Sequence, residues 1–188
     1  MIRFAEKKDR SEIARLILVV LKDMELPLVK KIGDIKTLQI LEEAMEDPYY
    51  RYGRQHGMVC EIDEKVVGIA FGYLASEEEK VDESLNKVLE KYHLTDQTLF
   101  TEHESFAGEW YLDLLCVDDT YRGQGIGSEL LASADQMAKE AGATVIGLCV
   151  DYANENAQRL YEEKGFEIVG EQMINNHPYH HMQKGITV

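Results

Sequence analysis

The chain has 188 residues, enough for one well-buried core and within the usual range of a single domain. Hydrophobic residues make up 45% and charged residues 29%, the balance of a soluble globular protein, and no apolar run approaches the length that spans a bilayer. A formal net charge of −15 repels phosphate backbones and so disfavours nucleic-acid binding; it would attract cationic partners, or serve solubility alone.

Arg3-Phe4 reads as a short first strand, and the residues from Met1 enter the folded pattern without an apolar signal core, so a cytoplasmic location is expected. From Asp9 a helical spacing follows, with Ile13, Ile17, Val20, Leu21 and Met24 on one face and Pro27 as its stop. A second helix is predicted over 34–46, carrying Leu38, Leu41 and Met45 inward and closed by Pro48. Residues 57–62 and 66–74 read as a hairpin turning at 63–65. The stretch 76–108 then interrupts the alternation. It opens on an acidic run and sets Val81, Leu85, Val88, Leu89 and Tyr92 at helical spacing, so its apolar stripe must bury against its own domain or against a partner chain, as in a homodimer.

Residues 109–117 are the most strand-like segment, apolar almost throughout, as a strand inside a covered sheet should be. Glu109, Tyr111 and Asp113 alternate on it against Trp110, Leu112 and Leu114, which predicts a polar face lining a cleft. A glycine-rich turn leads into a helix with Ile126, Leu130, Ala134, Met137 and Ala141 on one face, stopped by Gly142. A strand over 144–150, a helix over 154–164 and two strands over 166–172 and 179–186 complete the chain. The pattern is α/β (α+β): one domain over 1–188, a mixed, mostly antiparallel sheet flanked by helices, with a helical insertion at about 76–108 between the third and fourth strands. Cys60, Cys116 and Cys149 are odd in number, far apart and set in apolar stretches, and read as free thiols in strands.

The chemistry concentrates in Arg122-Gly123-Gln124-Gly125-Ile126-Gly127-Ser128. Glycines at alternate positions let backbone N–H groups converge on a ligand, and the helix start that follows favours an anion such as a pyrophosphate. Ser128 breaks the dinucleotide pattern Gly-x-Gly-x-x-Gly, and no Lys-Ser or Lys-Thr follows to make a P-loop. A turn that uses glycine only for tightness is the alternative.

A second motif lies downstream, Asn154-x-x-Ala157-x-x-Leu160-Tyr161-x-x-x-Gly165-Phe166. Together with Arg122-x-x-Gly125-x-Gly127, and in this order and separation, it resembles the GNAT family of N-acetyltransferases. The resemblance is specific from Trp110 to Phe166 and looser outside it. It implies transfer of an acetyl group from acetyl-CoA to a primary amine of a small molecule or peptide, by direct attack in a ternary complex. A non-catalytic acetyl-CoA-binding sensor is the alternative.

Carried over by position, the resemblance assigns Arg122, Gly123, Gln124, Gly125, Ile126, Gly127 and Ser128 to the pyrophosphate, and Leu115 and Val117 to the pantetheine arm. Val117 N–H would polarise the carbonyl, and Asn154 would touch the arm or the phosphates, or simply cap its helix. Tyr161 would be the acid beside the sulfur, or an aromatic anchor for the last helix. Glu109 or Asp113 would take the amine proton, directly or through a water, unless both are structural carboxylates. His177, His180 and His181 lack a completing ligand set, so no metal is expected. The insertion would shape the acceptor pocket or a dimer contact.

Overall fold

A computed structural model describes residues 1–96, 99–100 and 102–187. One sheet runs through it in the order β1-β2-β3-β4-β5-β7-β6. Its strands are β1 (Ile2–Phe4), β2 (Gly57–Ile62), β3 (Lys65–Leu74), β4 (Trp110–Val117), β5 (Val145–Asp151), β6 (Glu167–Ile174) and β7 (His177–Gly185). Every neighbouring pair is antiparallel except β4 and β5. Two tight hairpins fix the register. Asp63-Glu64 joins β2 to β3 and Asn175-Asn176 joins β6 to β7, all four residues at positive φ, the backbone twist that closes a two-residue turn.

The helices are α1 (Arg10–Asp23), α2 (Pro27–Ile32), α3 (Asp34–Ala44), α4 (Glu83–Lys91), α5 (Ile126–Glu140) and α6 (Glu155–Glu163). Pro27 does not end the first helix, as its position in the sequence suggests. It opens α2 from the first helical position, where its missing N–H has no partner to lose. The first four helices bury Ile13, Ile17, Leu41 and Leu89 with Phe71, Leu114 and Cys116 on one face of the sheet. The last two bury Leu130, Ala134 and Tyr161 with Trp110, Leu112 and Leu148 on the other.

Leu112 and Leu114 therefore lie on opposite faces, which corrects the simple alternation read from the sequence. The register steps from Gly72↔Leu112 to Phe71↔Leu114, leaving Asp113 as the extra residue of a β-bulge. A bulge reverses the parity of everything after it.

The apolar stripe of α4 is spent inside the chain. Leu85 and Leu89 are each 2% exposed and join the core under α1 and α3, so this helix gives no argument for a dimer. Leu85→Asp is accordingly expected to cost several kcal/mol of stability through an uncompensated buried charge. A denaturant titration should show that loss, and sedimentation should show no change of assembly before unfolding.

Candidate functional site

β4 and β5 separate partway along. Their parallel pairing covers Trp110↔Ile146, Tyr111↔Gly147 and Leu112↔Leu148 and stops there, although β4 runs on to Val117 and β5 to Asp151. On its far side β4 stays paired with β3 as far as Val117↔Gly68. One edge of residues 113–117 is thus left open.

The direction of its backbone groups follows from one bond. Asp118 N–H donates to the Val67 carbonyl at 2.8 Å, toward β3. Successive residues of a strand point their amides to opposite sides, so Val117 and Leu115 present theirs to the opening. Arg122 Nε confirms the sense by donating to the Val117 carbonyl at 3.2 Å.

At the end of the opening lies the glycine turn. Gly123 and Gly125 sit at φ +75 and +85, a conformation costly to any residue with a Cβ, and both have open space where a Cβ would project. Gly125 is the N-cap of α5. Backbone N–H groups over 123–128 are left without a partner among the described residues, as the first amides of a helix are when no side chain caps them. Asp118, which the motif did not point to, fixes the approach to this turn. It accepts from Thr120 N at 3.1 Å and Oγ1 at 2.8 Å, and from Arg15 at 3.0 Å. The Thr120 bonds, with Arg15, pull its carboxyl down to about 2. Arg122 also pairs with Asp119 at 2.5 Å, so part of its charge is already answered.

The third wall is α6. A Cβ on Gly127 would meet Leu160 at 3.7 Å and Leu115 at 3.9 Å, so the start of α5, the end of β4 and the α6 face converge. Tyr161 is 8% exposed and packs edge-on against Phe166. Burial alone pushes that phenol up to about 12. Asn154 caps α6, its Oδ1 accepting from Ala157 N at 3.2 Å.

Glu109 and Asp113 lie on the opposite face of the sheet from Tyr161, closed over rather than lining an open cleft. Glu109 is 1% exposed and accepts from Phe106 N at 2.7 Å, His181 Nε2 at 3.0 Å and Gln183 Nε2 at 2.7 Å. Asp113 is held by the Arg51 guanidinium in a short contact and by the Tyr73 hydroxyl at 3.2 Å. Arg51 in turn forks onto Asp82 at 2.9 and 3.0 Å.

What closes this face is the insertion, of which residues 97, 98 and 101 lie outside the described ones. Phe106 stacks on His181 with ring centroids 3.6 Å apart. Glu78 accepts from Glu104 N at 2.7 Å and from the Ser105 hydroxyl. Glu104 reaches down to the Tyr111 hydroxyl at 2.8 Å. Of this cluster, the sequence pointed only to the strand residues. Arg51 sits in a Tyr-Arg-Tyr-Gly run that looks like exposed loop, yet it is 2% exposed. Near the insertion surface a recess of about 290 Å³ is lined by Glu78, Glu79, Asp82, Leu85, Asn86 and Phe100.

Among proteins of known sequence and structure, the family model described as acetyltransferase (GNAT) family matches residues 29–166. A solved acetyltransferase aligns over 100% of both chains at 45% identity and a TM-score of 0.90. An N-acetyltransferase from Staphylococcus aureus Mu50 aligns over 98% of this chain and 100% of its own, at 31% identity and a TM-score of 0.87. Among curated sequences, the acetyltransferase Atu2258 of Agrobacterium fabrum is 41% identical over 63 residues, 34% of this chain and 44% of that protein. The chain thus matches less than half the length of that curated relative.

Proposed function

The chain belongs to the GNAT acetyltransferase family, and from that membership and the geometry of the opening we propose that it transfers acetyl from acetyl-CoA to a primary amine. The observation that carries this is the separation of β4 from β5 after Leu112↔Leu148, directed at unpartnered amides at the start of α5. The pantetheine arm of acetyl-CoA adds to the free edge of β4 as an extra strand, taking the inward-facing groups of Leu115 and Val117. Its pyrophosphate lies on the amides of Gly123, Gln124, Gly125, Ile126, Gly127 and Ser128, where the helix dipole and Arg122 favour negative charge. Asn154 keeps its cap and offers its amide to the same ligand.

The amine then attacks the thioester carbonyl directly, in a ternary complex. The nitrogen–carbon bond forms, the carbon–sulfur bond breaks, and the coenzyme leaves as a thiol. Val117 N–H supports the oxyanion. Tyr161 stands on the coenzyme side. With its phenol at about 12, it stays protonated at working pH and stabilises the leaving sulfur as a hydrogen-bond donor; full proton transfer to a thiolate near 8.5 would run uphill. Glu109 and Asp113 hold the acceptor side of β4 in place through His181 and Arg51. The acceptor is a small molecule or peptide amine, with a cationic form suited to the charge of −15. Three free thiols fit a cytoplasmic setting.

Tyr161→Phe tests the assignment. It is expected to lower kcat by about a hundredfold and leave the Kd for acetyl-CoA unchanged, read by steady-state thiol release and calorimetry. Equal losses in both would return Tyr161 to a packing role.

A further inference from the structure

Proton removal from the acceptor needs a group that neither Glu109 nor Asp113 readily supplies, since both are already engaged by donors on their own chain. We propose that Glu104, acting through the Tyr111 hydroxyl, takes the proton that the acceptor ammonium loses before attack, so that the insertion carries the base of the reaction. This rests on the acetyl-transfer reading above and goes beyond it by assigning a residue outside both motifs.

Position comes first. Tyr111 is the penultimate pair of the β4–β5 ladder, so its ring stands at the head of the opening, on the face opposite Tyr161. Tyr111 is itself 1% exposed beneath the insertion, so in the proposed reaction the amine meets its hydroxyl only from within the opening. Its partner Glu104 is 6% exposed, and the hydroxyl at 2.8 Å is the one hydrogen-bond donor that reaches its carboxylate among the described residues. The backbone around it is fixed at both ends of the peptide, with Glu104 N–H donating to Glu78 at 2.7 Å and the Glu104 carbonyl accepting from Gln172 at 3.0 Å.

Its proton affinity fits the task. Burial, then the charge of Asp113, raise the Glu104 carboxyl to about 7, with Arg51 and the Tyr111 bond opposing. Glu78 from the insertion adds to the rise. Tyr73 of β3, Cys149 of β5 and Tyr179 of β7 face the same carboxylate from the other packed elements. A carboxyl near 7 stands about three pH units below an alkylammonium, against about six for an ordinary glutamate. The balance closes: the ammonium proton passes to Tyr111 as the hydroxyl proton passes to Glu104, and the neutral amine attacks. The second nitrogen proton ends on the departing sulfur, and Glu104 releases its proton to water.

One neighbouring arrangement competes for attention. Cys149 Sγ lies 3.3 Å from His181 Nδ1, whose Nε2 meets Glu109 at 3.0 Å, the order of a thiol nucleophile, its base and an orienting carboxylate. Burial pushes that thiol up to about 12, so it keeps its proton, and the set serves as a fixed wall.

The test takes the wild type with an amine found to drive thiol release, and compares kcat against pH with Glu104→Gln, Glu104→Asp and Tyr111→Phe. Wild-type kcat should rise with pH through a midpoint near 7. Glu104→Gln should lose that limb and about a hundredfold in kcat with unchanged acetyl-CoA affinity, Tyr111→Phe should follow it, and Glu104→Asp should regain part. Because glutamine still accepts from Tyr111 and buries no charge, Glu104→Gln should also melt higher than wild type at pH 8. A folded Glu104→Gln that keeps the limb would overturn the proposal while leaving acetyl transfer standing. Absence of turnover in the wild type with any amine would overturn both. Infrared titration of the carboxyls adds a readout apart from turnover: a protonated buried carboxyl that persists to pH 6 in wild type and is missing from Glu104→Gln supports Glu104, and a band unchanged in Glu104→Gln, or none above pH 5 in wild type, contradicts it.

Discussion

Gly127→Glu is expected to abolish measurable acetyl-CoA binding in a protein that still folds. Gly127 lies in the first turn of α5, and a Cβ there meets only Leu160 and Leu115, at ordinary contact distances of 3.7 and 3.9 Å. The fold therefore tolerates a side chain. The proposed ligand does not, because a carboxylate on this turn occupies the amides assigned above to the pyrophosphate and repels it. Losing two charge-assisted hydrogen bonds costs about 3 kcal/mol or more, roughly a hundredfold or greater in Kd. Gly127→Ala separates the two effects. Helix propensity favours alanine by up to about 1 kcal/mol, so the melting temperature should hold or rise while affinity falls. Gly125 behaves differently. At φ +85 any other residue is strained by about 1–2 kcal/mol, so Gly125→Ala should lose both stability and binding. Calorimetric titration beside thermal melts reads all three.

The second large effect belongs to the other face of the sheet. Arg51→Met removes the cation shared by Asp82 and Asp113, with Arg51 and the Asp113 side chain each only 2% exposed. An orphaned buried charge costs about 3–5 kcal/mol, which in a chain of this size lowers the melting temperature by about 10 °C. The sign of its pH dependence follows from Asp113. Burial raises that carboxyl even with Arg51 present, so its protonated form is the one the folded state prefers, and stability falls as pH rises through its titration. Without Arg51 the preference strengthens. The deficit should therefore be smaller at pH 5 than at pH 8. Adding Asp113→Leu should recover part of the loss, since Asp82 at 20% side-chain exposure can turn to water. A melting series of the two single variants and the double variant over that pH range checks each step.

The contrast between the two sites tracks what a sequence carries locally. The glycine turn, the strand before it and the helix after it are contiguous, so the spacing of Gly123, Gly125 and Gly127 announces the geometry directly. The hairpin of β2 and β3 and the helix α4 were legible for the same reason. Their signals are turn residues and a repeating apolar stripe. The bulge at Asp113 was not, because it is a mismatch between the registers of β3 and β4, and nothing within 109–117 encodes it. Leu114 consequently faced the wrong core in a reading by alternation. Arg51 was hidden too: its partners Asp82 and Asp113 lie 31 and 62 residues away, and a lone arginine among tyrosines looks like surface. Glu104 fell in a segment of weak pattern, where only the packing of the insertion onto β4 gives the carboxyl its neighbours.

In the proposed reaction the separation of β4 from β5 admits a thioester from one face and an amine from the other. Thiol release from acetyl-CoA by the purified full chain, across a panel of primary amines from polyamines to lysine peptides, tests it most directly. Release that depends on one class of amine, matches the acetylated product mole for mole and vanishes in Gly127→Glu is the predicted result. Tight acetyl-CoA binding with no release for any amine, and no response to Tyr161→Phe, would contradict it and leave a coenzyme-binding sensor.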